Sequence, residues 1–374
     1  TGPFKVDSFS PNDQVQFSQN DNYREPNKPF FSGVVLKGGG DAASAARAVI
    51  QTGEYDYAWN LQVEPEILKS MESDSAPGKL MIGPDVTVDR IELNLSDPNK
   101  EVNGEKSEMN TPHPFFSDIA VRQAVCTAID REKLADTFWF GKDGEPAVSN
   151  LLEGIPAIQS QANHFEFDTD KANKILDDAG WAKDGKTRSK NDVELKLTYT
   201  CSVNQVNAKM QAVVKANLEA IGFNVQLNQV DPNILFDASP GNEQNLQHFY
   251  WDMQMFSQSL SSPRPFSYMR GWYAGKDGSN IAQKSNQWVG QNYSRFRNDD
   301  YDAALDQAVT ETDPDAIAQA FIKMNDIVIQ NHVEIPLIRV GQKVGISKKL
   351  NADNIALGPF TTQYWNIANW NKVG

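Results

Sequence analysis

The sequence predicts an α/β fold with more than one domain. Apolar residues alternate with polar ones over residues 193–199, a helical stripe covers residues 206–221 before Gly222, and alternation returns over residues 223–227. A strand, helix and second strand in this order favour a parallel pair with a right-handed crossover. The chain has 374 residues, more than one hydrophobic core usually serves, so two domains or one domain with large insertions are expected.

Strands and helices alternate before residue 100 as well. Asp41 is predicted to cap a helix that ends before Gly53, and the GGG that precedes it lacks the GK[ST] of a phosphate loop, which favours a simple turn. The other predicted elements here are strands within 4–17, 34–36, 55–61 and 90–96, and a short helix at 64–71.

A second region with its own periodicities begins at Phe116. Ser117 is predicted to cap its first helix, and Asp130, Asp168 and Asp313 are predicted to cap later ones. The remaining predicted elements are strands at 249–255, 334–340 and 343–347. The first of these strands is predicted to lead into a loop, FSQSLSSPRPF at 256–266, which carries no charge before Arg264.

The charge balance argues against binding to polyanions. The chain has 49 acidic and 35 basic residues, a net charge of −14. Such a surface repels nucleic acid and anionic lipid at long range, so no nucleic-acid partner is predicted. The apolar runs are shorter than the roughly 20 residues that cross a bilayer. Cys126 and Cys201 lack metal-site spacing, and a buried thiol is predicted for each.

Motifs for catalysis or metal binding are missing from the sequence. It contains no GxSxG elbow, Walker loop or HExxH, and its four histidines are not paired at helical spacing. No catalytic residue, metal ligand or cofactor is therefore predicted. An enzyme remains the rival class, and it would need a nucleophile or an acid pair that converges in a cleft.

Aromatic rings next to amides indicate a binding function. The chain has eight Trp, and pairs such as Trp59–Asn60 place a ring beside an amide. Rings supply contact area, and amides supply donors and acceptors without a preference for charge. Packing in the core is the competing interpretation for each single Trp.

The order of several segments resembles one family over essentially the whole chain. These segments are TGPFKV, NDNY, QTGEYDYAW, FSDIAVRQAVCTAIDREKL, FEFDTDKANKILDDAGW, NYSRFRNDDYDAAL and EIPLIRV. They are similar, in that order, to the family 5 extracellular solute-binding proteins of ABC importers, which include dipeptide and oligopeptide binders. The resemblance implies a two-lobed periplasmic-binding-protein fold of the large type II class, without a cofactor.

The resemblance also implies where the lobes begin and end. Residues 1–92 and 337–374 are expected to form the first lobe and residues 93–336 the second, with hinge crossings near Glu92 and Pro336. In the family a TGPF-like motif lies well inside the chain, whereas here it is at residue 1. The first lobe is therefore expected to be incomplete.

The resemblance implies a ligand site at the 256–266 stretch. Peptide-binding members place an aspartate four residues before a Pro-x-x-Phe motif to hold the amino group of the peptide. Pro263 and Phe266 match that motif here, but Ser259 occupies the position of the acid. Because a buried ammonium without a counter-charge is costly, a free dipeptide held in the usual way is disfavoured.

We therefore expect a neutral, polar binding surface. It would consist of Ser257, Gln258 and Ser259 beside Phe256, and a ring such as Trp59 (next to Asn60) or Trp272 would stack on an oligosaccharide or a peptide-like solute. The alternative is that the stretch is only a polar turn and that an acid elsewhere holds the amine of a true oligopeptide.

Two further candidates lie in the family-like NYSRF segment. Asn292 and Arg295 are candidate contacts, and Arg295 would bind a ligand carboxylate or pair with a nearby Asp. The function that the resemblance implies is a monomeric, non-enzymatic, extracytoplasmic receptor, periplasmic or a lipoprotein. It would present its solute to an importer permease. A sensor that binds solute without transport is the alternative.

Overall fold

The chain forms two compact units. The computed structural model describes residues 1–11 and 13–373. The first unit contains residues 1–85 and 341–374, and the second contains residues 86–340.

The first unit begins with an antiparallel sheet of three strands in the order β1-β2-β3. Asp41 caps the helix that follows by accepting a hydrogen bond from the Ser44 amide, as predicted. The strand predicted at 55–61 covers only residues 57–58, since positive φ at Asn60 ends it. The elements are β1 (Phe4–Ser10), β2 (Gln14–Gln19), β3 (Gly33–Lys37), α1 (Ala42–Ile50), β4 (Tyr57–Ala58) and α2 (Pro65–Met71).

Strand β5 (Gly78–Leu93) then carries the chain into the second unit. The elements that follow are α3 (Ile119–Ala128), α4 (Arg131–Phe138), α5 (Thr169–Asp178), β6 (Ser189–Lys190), β7 (Val193–Glu194), β8 (Lys196–Ser202), α6 (Gln205–Ala220), β9 (Asn224–Val230), α7 (Pro232–Leu235), β10 (Met253–Ser259), α8 (Phe266–Met269), α9 (Asp299–Thr310), α10 (Pro314–Gln330) and β11 (Glu334–Ser347). Short 3₁₀ turns occupy Pro156–Ile158, Arg270–Trp272, Lys276–Gly278, Lys284–Asn286, Ala352–Asn354 and Ile367–Asn369.

Strand β11 returns the chain to the first unit. The units divide at Asp85–Val86, inside β5, and at Val340–Gly341, inside β11. The crossings expected near Glu92 and Pro336 lie in the same two strands, six residues after Val86 and four residues before Val340.

The sheet of the second unit contains the predicted parallel pair. Strands β8 and β9 are parallel, with Leu197 opposite Val225, and helix α6 connects them. Strand β10 lies parallel to β8 on the other side, and β5 runs antiparallel to β10. The carboxyl ends of β8, β9 and β10 therefore meet at one edge of this sheet.

Two large hydrophobic clusters pack in the second unit, and a smaller one contains Phe249 and Trp251. One contains Ile91, Met255 and Cys201 from the sheet together with residues of α3, α4, α5 and α6. The other contains Tyr268 and Trp272 together with residues of α9 and α10. Cys126 and Cys201 are buried free thiols, as predicted.

Helix starts follow the predicted caps with one exception. Asp130, Asp168 and Asp313 each accept a backbone hydrogen bond at the start of α4, α5 and α10. Helix α3 is capped by Asp118 rather than by the predicted Ser117, because the Asp118 carboxylate accepts the Ala120 amide at 3.0 Å.

The predicted end of β10 was wrong. The strand covers residues 253–259, so Ser257, Gln258 and Ser259 belong to it rather than to a loop. They pair with Asp89, Val88 and Thr87 of β5. A polar sequence extends as a strand here because its backbone bonds are supplied by the neighbouring strand.

No helix among residues 1–11 and 13–373 is long and apolar enough to span a membrane.

Candidate functional site

The carboxyl edge of the second unit's sheet is where the candidate site lies. In open α/β sheets, ligands bind outside the carboxyl ends of the parallel strands. Strand β8 ends at Ser202 and is followed by Val203, which is more than half exposed. Strand β10 ends with three exposed residues, Ser257, Gln258 and Ser259, directly after four buried ones. A buried strand that ends in exposed polar residues offers hydrogen-bonding groups at this edge.

Two of these three side chains lie on one face of the strand. Ser257 and Ser259 share a face because side chains alternate along a strand. The Ser259 hydroxyl bonds to the Thr87 hydroxyl, and the Ser257 hydroxyl lies 3.3 Å from Oδ1 of Asp89. Each hydroxyl thus has one partner on β5 and keeps capacity for a further bond.

Asp89 is a buried carboxylate that the sequence analysis did not select. Only 2% of the residue is exposed. Its Oδ2 has no hydrogen-bond partner within residues 1–11 and 13–373. Burial raises the pKa of Asp89 to about 7, although the Ser257 hydroxyl and Arg90 act in the opposite direction. Half of this carboxylate is therefore unsatisfied next to an exposed serine on the neighbouring strand.

Gln258 lies on the opposite face, where Arg90 holds it. The Arg90 guanidinium donates to Oε1 of Gln258 and, at 2.8 Å, to the Tyr268 hydroxyl. Its Nε lies 3.2 Å from Oε2 of Glu334, an ion pair outside hydrogen-bond geometry. Phe256 and Trp272 place their rings 4.7 and 5.1 Å from the guanidinium carbon. Arg90 therefore fixes the position of the Gln258 amide.

Two buried acids share this Arg90 environment. Burial and the charge of Glu92 raise the pKa of Glu334 well above its ordinary value, against the effect of Arg90. Burial also raises the pKa of Glu92, and Arg90 again opposes the change. One guanidinium therefore faces two carboxyl groups that resist ionising together. The Gln254 amide holds Glu92 at 2.6 Å.

Trp272 has a structural role in the second unit. It is 1% exposed, and its indole N–H donates to Oε1 of Glu334 at 3.0 Å. Its ring packs in the second hydrophobic cluster and against Arg90. This placement replaces the expectation that Trp272 stacks on a solute, because no face of the ring is open.

Asn292 and Arg295 are also buried by internal bonds. The Asn292 amide donates to the Phe296 carbonyl at 2.8 Å. The Arg295 guanidinium donates to four backbone carbonyls, those of Ser107, Tyr293, Gln247 and His248. Burial lowers the pKa of Arg295 to about 10. We therefore assign both residues to the scaffold and no longer count them as ligand contacts. The expected pairing of Arg295 with a nearby Asp is likewise replaced by these carbonyls.

Trp59 and Asn60 belong to the first unit and follow β4 there. Both are exposed, and Trp59 keeps 48% of its surface open. Asn60 has φ of 52°, a left-handed conformation that Asn adopts more readily than most residues. Trp59 is thus the predicted stacking ring that retains an accessible surface.

A cavity of about 540 Å³ opens elsewhere in the second unit. It is lined by Asn150, Glu153, Phe165 and Arg339 among others, and it includes none of the predicted site residues. Asn150 and Gln159 both donate to the Glu153 carboxylate. Three polar side chains of this wall are therefore bonded to one another.

Sequence reasoning missed Asp89 and Arg90, although a signal was present. The segment VDRIEL, which overlaps the start of the strand predicted at 90–96, places three charged residues within four positions. Charges inside a strand that lies in a sheet interior are rarely buried without a partner or a role. Within residues 1–11 and 13–373, no group of His, Cys, Asp or Glu is arranged to hold a metal ion.

Comparison with known families decides the assignment. Residues 1–280 match the model of the bacterial extracellular solute-binding proteins, family 5 Middle. The chain belongs to this family. Family 5 proteins bind solutes and are not enzymes. Their function requires no catalytic motif.

Relatives of this family 5 protein include proteins named for peptides. A putative ABC transporter peptide-binding protein of Brucella ovis is 24% identical over 339 residues, covering 90% of this chain and 55% of its own length. The oligopeptide-binding protein AppA of Bacillus subtilis is 27% identical over 277 residues, covering 70% and 44%. The chain thus spans about half the length of these curated relatives.

Solved structures confirm the fold. AppA of Bacillus subtilis, solved with a nonapeptide, aligns with a TM-score of 0.75 at 20% identity, over 100% of this chain and 66% of that one. NikZ of Campylobacter jejuni, solved with Ni(L-His), aligns with a TM-score of 0.76 at 18% identity, over 100% and 68%. The family 5 protein described here therefore has the predicted α/β periplasmic-binding-protein fold.

Proposed function

We propose that this chain is the solute-binding part of an extracytoplasmic receptor that delivers a small polar solute to the permease of an ABC importer. The observation that carries the proposal is the exposed, polar end of β10 at residues 257–259, at the sheet edge where ligands of α/β proteins bind. Membership of family 5 supports the same function. The receptor acts as a monomer in this proposal, either free in the periplasm or as a lipoprotein on the outer face of the cell.

The solute class that we favour is peptide-like. Relatives are named for peptides and for glutathione, and solved relatives hold a nonapeptide, a pentapeptide or Ni(L-His). A peptide presents amides along its backbone, and these match hydroxyl and carboxamide partners such as Ser257 and Gln258.

An oligosaccharide is the second candidate. The three exposed residues of β10 carry no charge, and Trp59 keeps an open ring surface. Flat rings and neutral hydrogen-bonding groups suit sugar hydroxyls. The names of the relatives give this class no support, so we place it behind the peptide-like solute.

A screen of thermal stability tests the proposal. The intact chain is heated with panels of short peptides, oligosaccharides and single amino acids. A solute that binds only the folded state raises the melting temperature with its concentration. We expect a shift from members of the peptide panel. If every panel leaves the transition unchanged at millimolar concentration, the proposed binding function is wrong.

Variants of the strand end locate the site. Ser257→Ala and Ser259→Ala should weaken the solute that the screen finds, each about tenfold, since a lost hydrogen bond costs about 0.5–1.5 kcal/mol or more when the partner stays buried. Ser239→Ala, in the exposed segment before β10, is the matched control. If the unchanged chain and these three variants bind the solute with equal affinity, the site does not lie at the end of β10. Trp59→Ala tests the stacking proposal in the same assay.

Transport and sensing differ in the partner rather than in the binding site. In the transport proposal, solute uptake by cells requires this chain and the importer permease together. Uptake that is unchanged in a strain without this chain, with altered gene expression instead, would favour a sensor.

A further inference from the structure

The second unit contains a buried acid that the proposed binding site leaves without a role. Asp89 lies directly opposite Ser257 in the pairing of β5 with β10, so both side chains project from the same face of the sheet. Ser257 is exposed, and its hydroxyl is 3.3 Å from the Asp89 carboxylate. A solute that touches Ser257 therefore comes within one hydroxyl of the acid.

One oxygen of this carboxylate lacks a donor. Oδ1 accepts from Ser257, but Oδ2 has no partner in the described part of the chain, although the residue is 2% exposed. More than nine in ten buried polar groups in proteins are hydrogen-bonded, so an unbonded carboxylate oxygen calls for an explanation. A donor brought by the solute would satisfy it.

The surroundings favour a cationic donor. Arg90 is the nearest guanidinium in sequence, but its side chain projects to the opposite face and is held by Tyr268, Gln258 and Glu334. On the same face, burial and the charge of Asp89 raise the pKa of two titratable side chains, Tyr199 and Cys201 of β8. Neither is a cation. Among residues 1–11 and 13–373, the carboxylate thus has a hydrogen-bonding neighbour, while Arg90, the cation whose charge lowers its pKa, lies on the opposite face.

We propose that Asp89 binds a primary ammonium group of the solute and thereby selects amines over their neutral analogues. This inference rests on the proposed solute-binding function. An ammonium donates to Oδ2 and supplies the missing positive charge at once, whereas a neutral amide or hydroxyl supplies only the hydrogen bond. Burial raises the pKa of Asp89 to about 7, so amine binding should also complete the ionisation of the acid.

Native mass spectrometry with two probe mixtures tests the inference. The first is an equimolar mixture of tripeptides with free amino termini, and the second is the same mixture after acetylation of those termini. The proteins compared are the unchanged chain, Asp89→Asn, and the matched acid-to-amide control Glu311→Gln, whose side chain is only partly buried and lies in the same unit. Far-ultraviolet circular dichroism establishes that each is folded.

We expect the unchanged chain and Glu311→Gln to retain free tripeptides at least about 30-fold better than acetylated ones. Asp89→Asn should lose that preference, since removing one partner of a buried charge pair costs about 2 kcal/mol or more. In the unchanged chain, retention of free tripeptides should rise from pH 5.5 to about pH 7.5 as Asp89 ionises, and it should fall above about pH 8 as the α-amino group of the peptide loses its proton. This second measurement needs no variant, so it decides the question if Asp89→Asn does not fold.

Three results would overturn the inference. They are equal retention of both mixtures, an Asp89→Asn variant that keeps the preference, and an unchanged chain that retains neither mixture. In the third case the peptide, sugar and amino acid panels separate the two proposals. A sugar that binds would leave the solute-binding function standing without an ammonium site, and a chain that binds nothing would remove both.

Discussion

Replacing Asp89 with Asn should remove one contribution to the pH dependence of the free energy of unfolding. The pKa of this acid rises from 3.8 to about 7 in the folded chain, chiefly because of burial. The folded state therefore holds a proton that the unfolded state releases between these pH values, so stability falls as pH rises through this window. At about 1.4 kcal/mol per pH unit, the full change amounts to roughly 4 kcal/mol as an upper bound.

The Asp89→Asn variant lacks this loss of stability at higher pH, because Asn does not ionise. Relative to the unchanged chain, the free energy of unfolding of Asp89→Asn should increase steadily between pH 4 and pH 8, by up to roughly 4 kcal/mol. Urea unfolding at four pH values, followed by far-ultraviolet circular dichroism and by tryptophan fluorescence, measures the difference. The comparison between pH values cancels any constant cost of the substitution.

Glu311→Gln is the control for this measurement. Backbone amides of Asp313 and Thr312 lower the pKa of Glu311 below 4.5, so its contribution is complete above that pH and is lost only in more acidic solution. The control should therefore run parallel to the unchanged chain from pH 5 to pH 8. The reasoning is refuted if the Asp89→Asn difference is constant within about 0.5 kcal/mol over this range or decreases with pH.

The other predictions concern packing and thiol chemistry. Trp272→Ala should destabilise the second unit by about 3–5 kcal/mol, because it leaves a cavity where a buried ring was packed. Trp59→Ala, at an exposed site, should change the free energy of unfolding by about 0.5 kcal/mol or less. If urea unfolding shows the larger loss for Trp59→Ala, both placements are contradicted. Arg295→Met should cost at least about 2 kcal/mol, since four backbone carbonyls lose their donor, and an unaffected midpoint would show that this guanidinium is dispensable. Cys126 and Cys201 should resist Ellman's reagent in the native chain and react in urea, because burial raises the pKa of both thiols; rapid reaction of either without denaturant would be inconsistent with that burial.

Much of the local structure could be predicted from the sequence because short-range signals decide it. The parallel pair around α6 follows from alternation, a helical stripe and Gly222, and the structure confirms it. Asp168 caps α5 as expected, since a carboxylate next to a helix start needs only its own backbone neighbours. The family could also be recognised, because it depends on the order of such segments.

The site was only partly predictable. Exposed polar residues at 257–259 were expected, but their extended conformation depends on pairing with β5, more than 160 residues away in the chain. Trp272, Asn292 and Arg295 were reasonable ligand contacts by residue type. Their burial among distant partners, such as Glu334 for Trp272, removes them, and residue type alone cannot distinguish a packed ring from an open one.

The sequence by itself determined the α/β class, most helix starts, the family and the neutral character of residues 257–259, because composition, periodicity and local capping are written in neighbouring residues. Only the tertiary structure decided that Asp89 lies opposite Ser257 on the neighbouring strand, with one carboxylate oxygen unbonded in the described part of the chain, while the Arg90 side chain projects from the opposite face. The reason is that the environment of a buried charge is set by strands that the sequence places far apart and the fold brings together.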